Sequence, residues 1–254
     1  MMQGISDTWL LAERLIKHNL RSPDTVITVV LLPIMMLLMF VYLFGSAMRI
    51  PGVSQAAYVN YVLPGILLMT IGMGSAYTAL RINQDKSTGM FDRFKSLPIS
   101  RAAVLSGQAL SSVIFMLVST LLVLGVGFLT GFRSHASVIE WGLAVLLLIG
   151  FASAITWLAV PFGLAARSVD GASTFSYVVL LLIFVSSAFS TTAGIPKLVR
   201  WFAEHQPMTD IIVTLRRLLM SQSLGNHGWL ALAWIAGITL ISFLLSVRLY
   251  RQVN

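Results

Sequence analysis

The sequence contains no cysteine and has few charged residues. Without cysteine the chain can form no disulfide and offers no thiolate ligand to a metal. Charged residues make up only 10% of the chain, whereas soluble domains contain roughly 25%. No GxxxxGK[ST] sequence occurs, so the chain lacks the loop with which many ATPases bind phosphate. A disulfide-rich secreted domain and a P-loop nucleotide hydrolase are therefore excluded.

The apolar residues form six long runs free of Asp, Glu, Lys and Arg. Hydrophobic residues are 57% of the chain, which is the composition of an integral membrane protein. Each run has 24 or more residues, and about 20 are enough to cross the hydrocarbon as a helix. We therefore predict an all-α membrane protein with six transmembrane helices. Within these runs the expected spans are 25–48, 58–80, 102–131, 141–166, 172–193 and 229–247.

The distribution of basic residues predicts the orientation of these spans. With the N-terminus in the cytoplasm, eleven of the 17 Lys and Arg residues lie on the inner side and six on the outer side. Inner loops of membrane proteins are enriched in Lys and Arg, so both termini are expected in the cytoplasm. A basic inner face beside anionic lipid also accounts for the net charge of +8, and no nucleic acid is needed to explain it.

Ionisable groups are absent from the centres of the expected spans. The four histidines (His18, His135, His205 and His227) lie outside these centres, and no acidic residue is expected at the middle of the bilayer. Because intramembrane ionisable groups usually mark proton relays or catalytic sites, their absence argues against a proton-coupled carrier and a membrane metalloenzyme. We expect no catalytic residue, no metal and no cofactor in this chain.

Residues 85–101, with the sequence DKSTGMFDRFKSLPISR, form a charged connection between spans two and three. Phe91 and Phe94 fall on one side of a short helix with charges elsewhere on its surface. The helix is expected to end before Pro98, because the residue before a proline disfavours the α conformation. This pattern predicts an amphipathic cytosolic helix to which another protein can bind. A solvated loop whose basic residues only set the topology is the alternative.

Two further segments are amphipathic but too polar to cross the membrane. Residues 1–24 carry apolar side chains at helical spacing opposite charged ones, which predicts an interfacial helix on the inner leaflet. Residues 194–226 contain two short amphipathic stretches separated by Gln206-Pro207, which predicts a helical hairpin that dips into the outer leaflet and returns.

Glu140 is expected at the outer start of span four, because an acidic residue is favourable at a helix N-terminus.

Several polar residues lie inside or at the ends of the spans and are candidates for lining a substrate path. Hydroxyl groups in membrane helices also commonly bond to their own backbone or to a neighbouring helix, and that alternative stays open. The candidate path residues are Thr70, Ser75, Tyr77, Thr78, Ser186 and Ser190.

Together these features resemble the permease subunits of type 2 ABC exporters, and most of all the daunorubicin-resistance branch. The resemblance rests on residues 85–101 and on PKLVRWFAEHQPMTDIIVTLRRLLM at 196–220, and it covers nearly the whole chain as one transmembrane domain, 1–254. Asp85 stands where the family commonly has glutamate, and Gln206 where it usually has asparagine. Both departures are mild and leave the substrate open.

The resemblance implies that residues 85–101 are the coupling helix, seated in a separate ATPase subunit. The coupling residues would be Asp85, Lys86, Gly89, Met90, Phe91, Arg93, Phe94, Leu97 and Pro98. An outer gate is expected at Trp201, Phe202, Pro207 and Arg216.

The resemblance also implies the partners and the activity. Two cytosolic ABC ATPase subunits would bind ATP and Mg²⁺, and a second permease, identical or paralogous, would pair with this chain in a bacterial plasma membrane. The expected function is export of an amphipathic drug-like or lipid-like substrate along the dimer interface. Export of a polysaccharide or a peptide by the same architecture and a membrane-embedded lipid-modifying enzyme are the alternatives.

Overall fold

The computed structural model describes residues 23–45, 58–89, 101–190, 194 and 196–252. Residues 1–22 of the expected interfacial helix and residues 90–100 of the expected coupling helix lie outside these ranges. The described part of the chain is helical and contains no strand, which confirms the predicted all-α class. In chain order the helices are α1 (Pro23–Val26, Ile27–Leu31, Leu32–Met39 and Phe40–Phe44 in succession), α2 (Tyr58–Ser87), α3 (Arg101–Leu129), α4 (Val138–Ala165), α5 (Val169–Phe184), α6 (Lys197–His205), α7 (Pro207–Leu219) and α8 (Gly225–Gln252).

Five of the described helices, α1, α2, α3, α4 and α8, are long and apolar enough to cross a membrane. The helix α5 is apolar but has only 16 residues. At 1.5 Å per residue it extends about 24 Å, which is shorter than the roughly 30 Å hydrocarbon core. The expected fifth span, 172–193, is thus corrected: the helix begins at Val169 and ends at Phe184.

Pro33 does not break α1, although it removes one helical hydrogen bond. Proline has no N–H, so the bond to the carbonyl of Val29 cannot form. The preceding segment, Ile27–Leu31, adopts π-helical geometry, and so does Phe40–Phe44. Such local widening is a common way for a helix to accommodate an interruption.

The helix α2 lies at the centre of the molecule and packs against α1, α3, α4 and α5. Most of its side chains are buried, from Tyr58 to Asn83. It approaches α4 closely at Gly163, where an added Cβ would lie 2.5 Å from the carbonyl oxygen of Ala79. This position requires glycine because the opposing atom belongs to the backbone, which cannot rotate away as a side chain can.

Glu140 lies in the first turn of α4, as the sequence predicts, and this helix start is also capped. The hydroxyl of Ser137 accepts from the backbone N–H of Glu140, and the Glu140 carboxylate accepts from the backbone N–H of Ser137, which is a capping box. The hydroxyl of Ser221 also donates to Glu140 at 2.9 Å, and that of Ser134 donates to the carbonyl of Leu219 at 2.7 Å. These bonds place the C-terminal end of α7 beside the N-terminal end of α4.

The two short amphipathic helices expected between spans five and six are present as α6 and α7. They are separated by Gln206, whose extended backbone stands between His205 and Pro207. The α7 helix buries most of its side chains against α4, α8 and α2. Its amphipathic sequence is therefore explained by packing on the other helices.

Candidate coupling and transport sites

The C-terminal end of α2 is fastened to the C-terminal end of α4 by two polar side chains. Nζ of Lys86 donates to the carbonyl of Leu164 at 2.6 Å, and Nδ2 of Asn83 donates to the carbonyl of Ala166 at 2.8 Å. The last carbonyls of a helix have no partner within that helix. Lys86 also places a positive charge where the helix dipole of α4 is negative. These bonds join the end of α2 to the end of α4.

The sequence led us to expect Asp85 and Lys86 at the start of a separate coupling helix. The structure does not place them there. Both belong to the last turn of α2, which ends at Ser87, and Nε2 of Gln108 in α3 donates to Oδ2 of Asp85. Gly89 follows with a φ of +68°, in the left-handed region that glycine adopts readily. The other predicted coupling residues lie outside the described part of the chain: Met90, Phe91, Arg93, Phe94, Leu97 and Pro98.

Four of the six candidate path hydroxyls are buried and hydrogen-bonded within the protein. Three donate to a backbone carbonyl of their own segment and one donates to a neighbouring helix, as in the alternative interpretation of these residues. Ser190 is exposed at the end of its segment. The four bonds are Thr70 to Ile66 at 2.9 Å, Ser75 to Gly72 at 2.6 Å, Ser186 to Ile183 at 2.5 Å and Thr78 to the hydroxyl of Ser112 at 2.8 Å.

Tyr77 differs from these four residues because it lines an open cavity of 270 Å³ between α1, α2 and α5. Thr28 contributes to the wall from α1, and Ser173, Ser176 and Tyr177 contribute from α5. The remaining wall is apolar. A cavity with a mainly apolar wall and a few hydroxyl groups suits an amphipathic molecule, and it contains no described charged side chain.

The chain after α5 is held by three side chains of other helices. The hydroxyl of Tyr61 and Nη2 of Arg216 both donate to the carbonyl of Ser187, at 3.2 and 2.8 Å. The hydroxyl of Tyr58 donates to the carbonyl of Phe189 at 3.2 Å. Because these donors satisfy carbonyls that a continued helix would bond internally, residues 185–190 can leave the helix while remaining packed.

Arg216 is itself fixed by neutral partners. Its Nε donates to the carbonyl of Tyr61 at 3.1 Å, and its guanidinium lies 3.8 Å from the centre of the Tyr61 ring. An arginine over an aromatic face gains a cation–π interaction. Arg216 therefore links α7, α2 and the segment after α5.

The four residues predicted to form an outer gate do not come together in one place. Trp201 and Phe202 lie on α6 and are exposed, and Pro207 opens α7. Arg216 lies two turns further along α7, against Tyr61. A different pair of aromatic side chains is in contact: the ring of Phe189 stacks on that of Phe40, with ring centres 4.4 Å apart.

Sequence reasoning assigned no role to Asp210, which is buried in the first turn of α7. Its carboxylate accepts from Trp234 Nε1 at 3.1 Å, and its other oxygen lies 2.8 Å from Nδ1 of His227. Both partners belong to α8. The only sequence signal was the spacing of His227 and Trp234, which puts them on one face of a helix. These contacts join α7 to α8.

Five of the described helices are apolar and of spanning length. Of these, α1, α3 and α4 pack against α2 and α8 packs against α4, which defines a multi-pass membrane protein. The profile of the ABC-2 type transporter family matches residues 6–220, and the chain belongs to this family. It is a transporter permease subunit and not an enzyme, so the alternative of a lipid-modifying enzyme is excluded. Permeases of this family work with ABC ATPase partners, generally as dimers.

The chain is also similar to individual proteins of drug-resistance transporters. It is 31% identical to the daunorubicin resistance ABC transporter permease protein DrrB1 of Streptomyces coeruleorubidus, over 91% of this chain and 81% of that protein. It is 27% identical to the probable doxorubicin resistance ABC transporter permease protein DrrC of Mycobacterium tuberculosis, over 93% and 85%. A putative transport permease, ycf38 of Cyanophora paradoxa, is 25% identical over 86% and 76%.

Proposed function

We propose that this chain is the membrane subunit of an ATP-driven exporter, powered by two separate ATPase subunits that dock on residues 85–101. The observation that carries the proposal is family membership over residues 6–220, which include this charged connection. The chain has no phosphate-binding loop of its own, so ATP and Mg²⁺ would bind the partner. A second permease, identical or paralogous, completes the transporter.

The topology in this proposal has six spans. Besides the five helices of spanning length, the fifth span in chain order is the segment that contains α5, and α6 and α7 form a re-entrant hairpin in the outer leaflet. Both termini and residues 85–101 face the cytoplasm, in agreement with the distribution of Lys and Arg. The membrane is the plasma membrane of a bacterium, as the organisms of the two drug-resistance relatives suggest.

The coupling step proceeds through the end of α2. ATP binding moves the partner subunits, and Phe91 and Phe94, seated in them, carry the movement to α2 and α3. Lys86 and Asn83 join the end of α2 to the end of α4, so α4 moves with it. The partner has to supply a few kcal/mol of differential binding between two states, as any population shift requires.

The cargo in this proposal is an amphipathic, drug-like or lipid-like molecule that passes between the two permeases. Two observations support it: the cavity at Tyr77 is mainly apolar with a few hydroxyls, and the relatives are named for resistance to daunorubicin and doxorubicin. Tyr77, Ser173 and Tyr177 are the residues we assign to the path. A polysaccharide or a peptide would need more hydrogen-bonding groups along the wall than this cavity offers.

The double variant Phe91→Ala with Phe94→Ala tests the coupling step. We expect the complex to assemble and the ATPase to turn over ATP, but export to fall at least about tenfold. The reason is that the contact between these two phenylalanines and the ATPase is lost, while the spans are unchanged. Export of a fluorescent anthracycline from membrane vesicles and ATP turnover are measured on the same preparation. Leu198→Ala, at an exposed position on α6, is the control. Unchanged export in the double variant would contradict the proposal.

A further inference from the structure

A second apolar cavity lies between α4, α7 and α8, on the side of the molecule where α7 ends and α4 begins. It has a volume of 370 Å³. It is bordered by Leu146 and Gly150 of α4, Leu218 of α7, and Gly228, Leu232 and Ile235 of α8. We call it the α4–α8 slot. It is separate from the cavity at Tyr77, which lies between α1, α2 and α5.

The α4–α8 slot opens onto the apolar outer surface of the spans. The side chains at its opening are strongly exposed, with 64% for Leu146, 77% for Trp229 and 54% for Leu232. Helices of a membrane protein that expose large apolar side chains do so toward lipid. The opening therefore faces the hydrocarbon, and Trp229, four residues after the start of α8, marks the level of the membrane interface.

A positive charge stands at one end of the slot. Nη1 of Arg217 donates to the carbonyl of Leu224 at 2.8 Å and to that of Ser223 at 3.3 Å. A Cβ added to Gly225, which lines the slot, would lie 3.2 Å from the same nitrogen. Both described partners of Arg217 are neutral carbonyls, and within the described part of the chain no carboxylate forms an ion pair with it. A planar guanidinium with free donor sites is a strong ligand for phosphate.

We propose that the α4–α8 slot holds one acyl chain of an outer-leaflet phospholipid whose phosphate binds Arg217. The apolar lining, the lipid-facing opening and the charge at the interfacial end together match this occupant: the apolar tail enters between the helices and the phosphate stays at the interface. The lipid then completes the packing between the hairpin helix α7 and the spans α4 and α8. This site is independent of the path for the exported molecule.

The experiment uses the purified full-length permease in detergent, titrated with phosphatidylglycerol and analysed by native mass spectrometry. Leu232→Trp fills the slot from its exposed side, and we expect it to lose the tightest bound phospholipid, with binding at least about tenfold weaker. Leu244→Trp is the matched control, because Leu244 lies on the same helix, is equally exposed at 54% and does not line the slot. Its binding is expected to equal that of the wild type.

Arg217 is tested separately, since a change of charge leaves the slot open. Arg217→Gln is expected to weaken binding about tenfold, because it removes a charged hydrogen bond to phosphate, and Arg217→Lys is expected to retain most of it. Equal binding in Leu232→Trp and Leu244→Trp would overturn the slot as the site. Equal binding in Arg217→Gln and the wild type would overturn the phosphate contact. Displacement of the phospholipid by daunorubicin at equimolar concentration would show a substrate site instead and also contradict the proposal.

Discussion

Replacement of Arg216 by methionine tests what holds the segment after α5 in place. Arg216 makes two well-formed bonds to carbonyls, at 2.8 Å to Ser187 and 3.1 Å to Tyr61, and one cation–π contact. A hydrogen bond from a charged group contributes about 1.5–3 kcal/mol, and the contact with the ring about 0.5–2 kcal/mol. Because the three interactions share one side chain they do not add fully, and we expect a loss of about 3–5 kcal/mol.

Hydrogen exchange followed by mass spectrometry measures this loss locally. A loss of about 3 kcal/mol corresponds to roughly a hundredfold faster exchange, and we expect it in peptides that cover residues 185–190. Arg217→Met is the matched control, because it makes the same chemical change one residue along and its described bonds go to Ser223 and Leu224. Unchanged protection of residues 185–190 in Arg216→Met would refute the role of Arg216 as an anchor.

Two further predictions concern contacts between helices. Gly163→Ala should lower the stability by about 1–3 kcal/mol, because its Cβ would lie 2.5 Å from the carbonyl oxygen of Ala79. Thermal unfolding in detergent measures it, and Gly142→Ala on the same helix, with open space around its Cβ, is the control that should change little. Asp210→Ala should lower the free energy of unfolding by about 1–3 kcal/mol, because it removes the acceptor of the Trp234 N–H and the contact with Nδ1 of His227. A change in the tryptophan emission of the protein should accompany the loss, and an unchanged melting temperature and emission would count against the Asp210 contacts.

Most of the spanning helices could be predicted from the sequence, because charged residues are rare in segments that contact lipid. A charged side chain is costly in hydrocarbon, so gaps between charges mark the segments that contact lipid. The same rule does not mark the end of a helix. The helix α2 continues to Ser87, past the expected limit at residue 80, because Arg81, Asp85 and Lys86 lie on a part of the helix that packs against protein.

The early end of α5 could not be read from the sequence. A run free of charged residues that continues past residue 184 predicts a longer helix. The carbonyls after Phe184 are satisfied by Tyr58, Tyr61 and Arg216, which are more than 25 residues away in the chain. Long-range donors of this kind become visible only when the helices are packed.

Asp210 was overlooked for a related reason. An acidic residue in the first turn of a helix is usually explained by the helix dipole alone, and the segment was expected to lie outside the spans. Packing of α7 on α8 instead buries the carboxylate against His227 and Trp234.

The candidate path residues had two interpretations from the sequence, and most of their hydroxyls bond within the protein.

The most direct test of the central claim is a cross-link from the coupling stretch. Because the chain has no cysteine, a cysteine that replaces Phe94 is its only thiol, and a photoactivated reagent attached there reports its neighbour in working membrane vesicles. We expect a cross-link to a nucleotide-hydrolysing subunit, and none from a cysteine that replaces Leu198 on α6. Export from vesicles in which position 94 cross-links to no such subunit would show that residues 85–101 do not couple the permease to an ATPase.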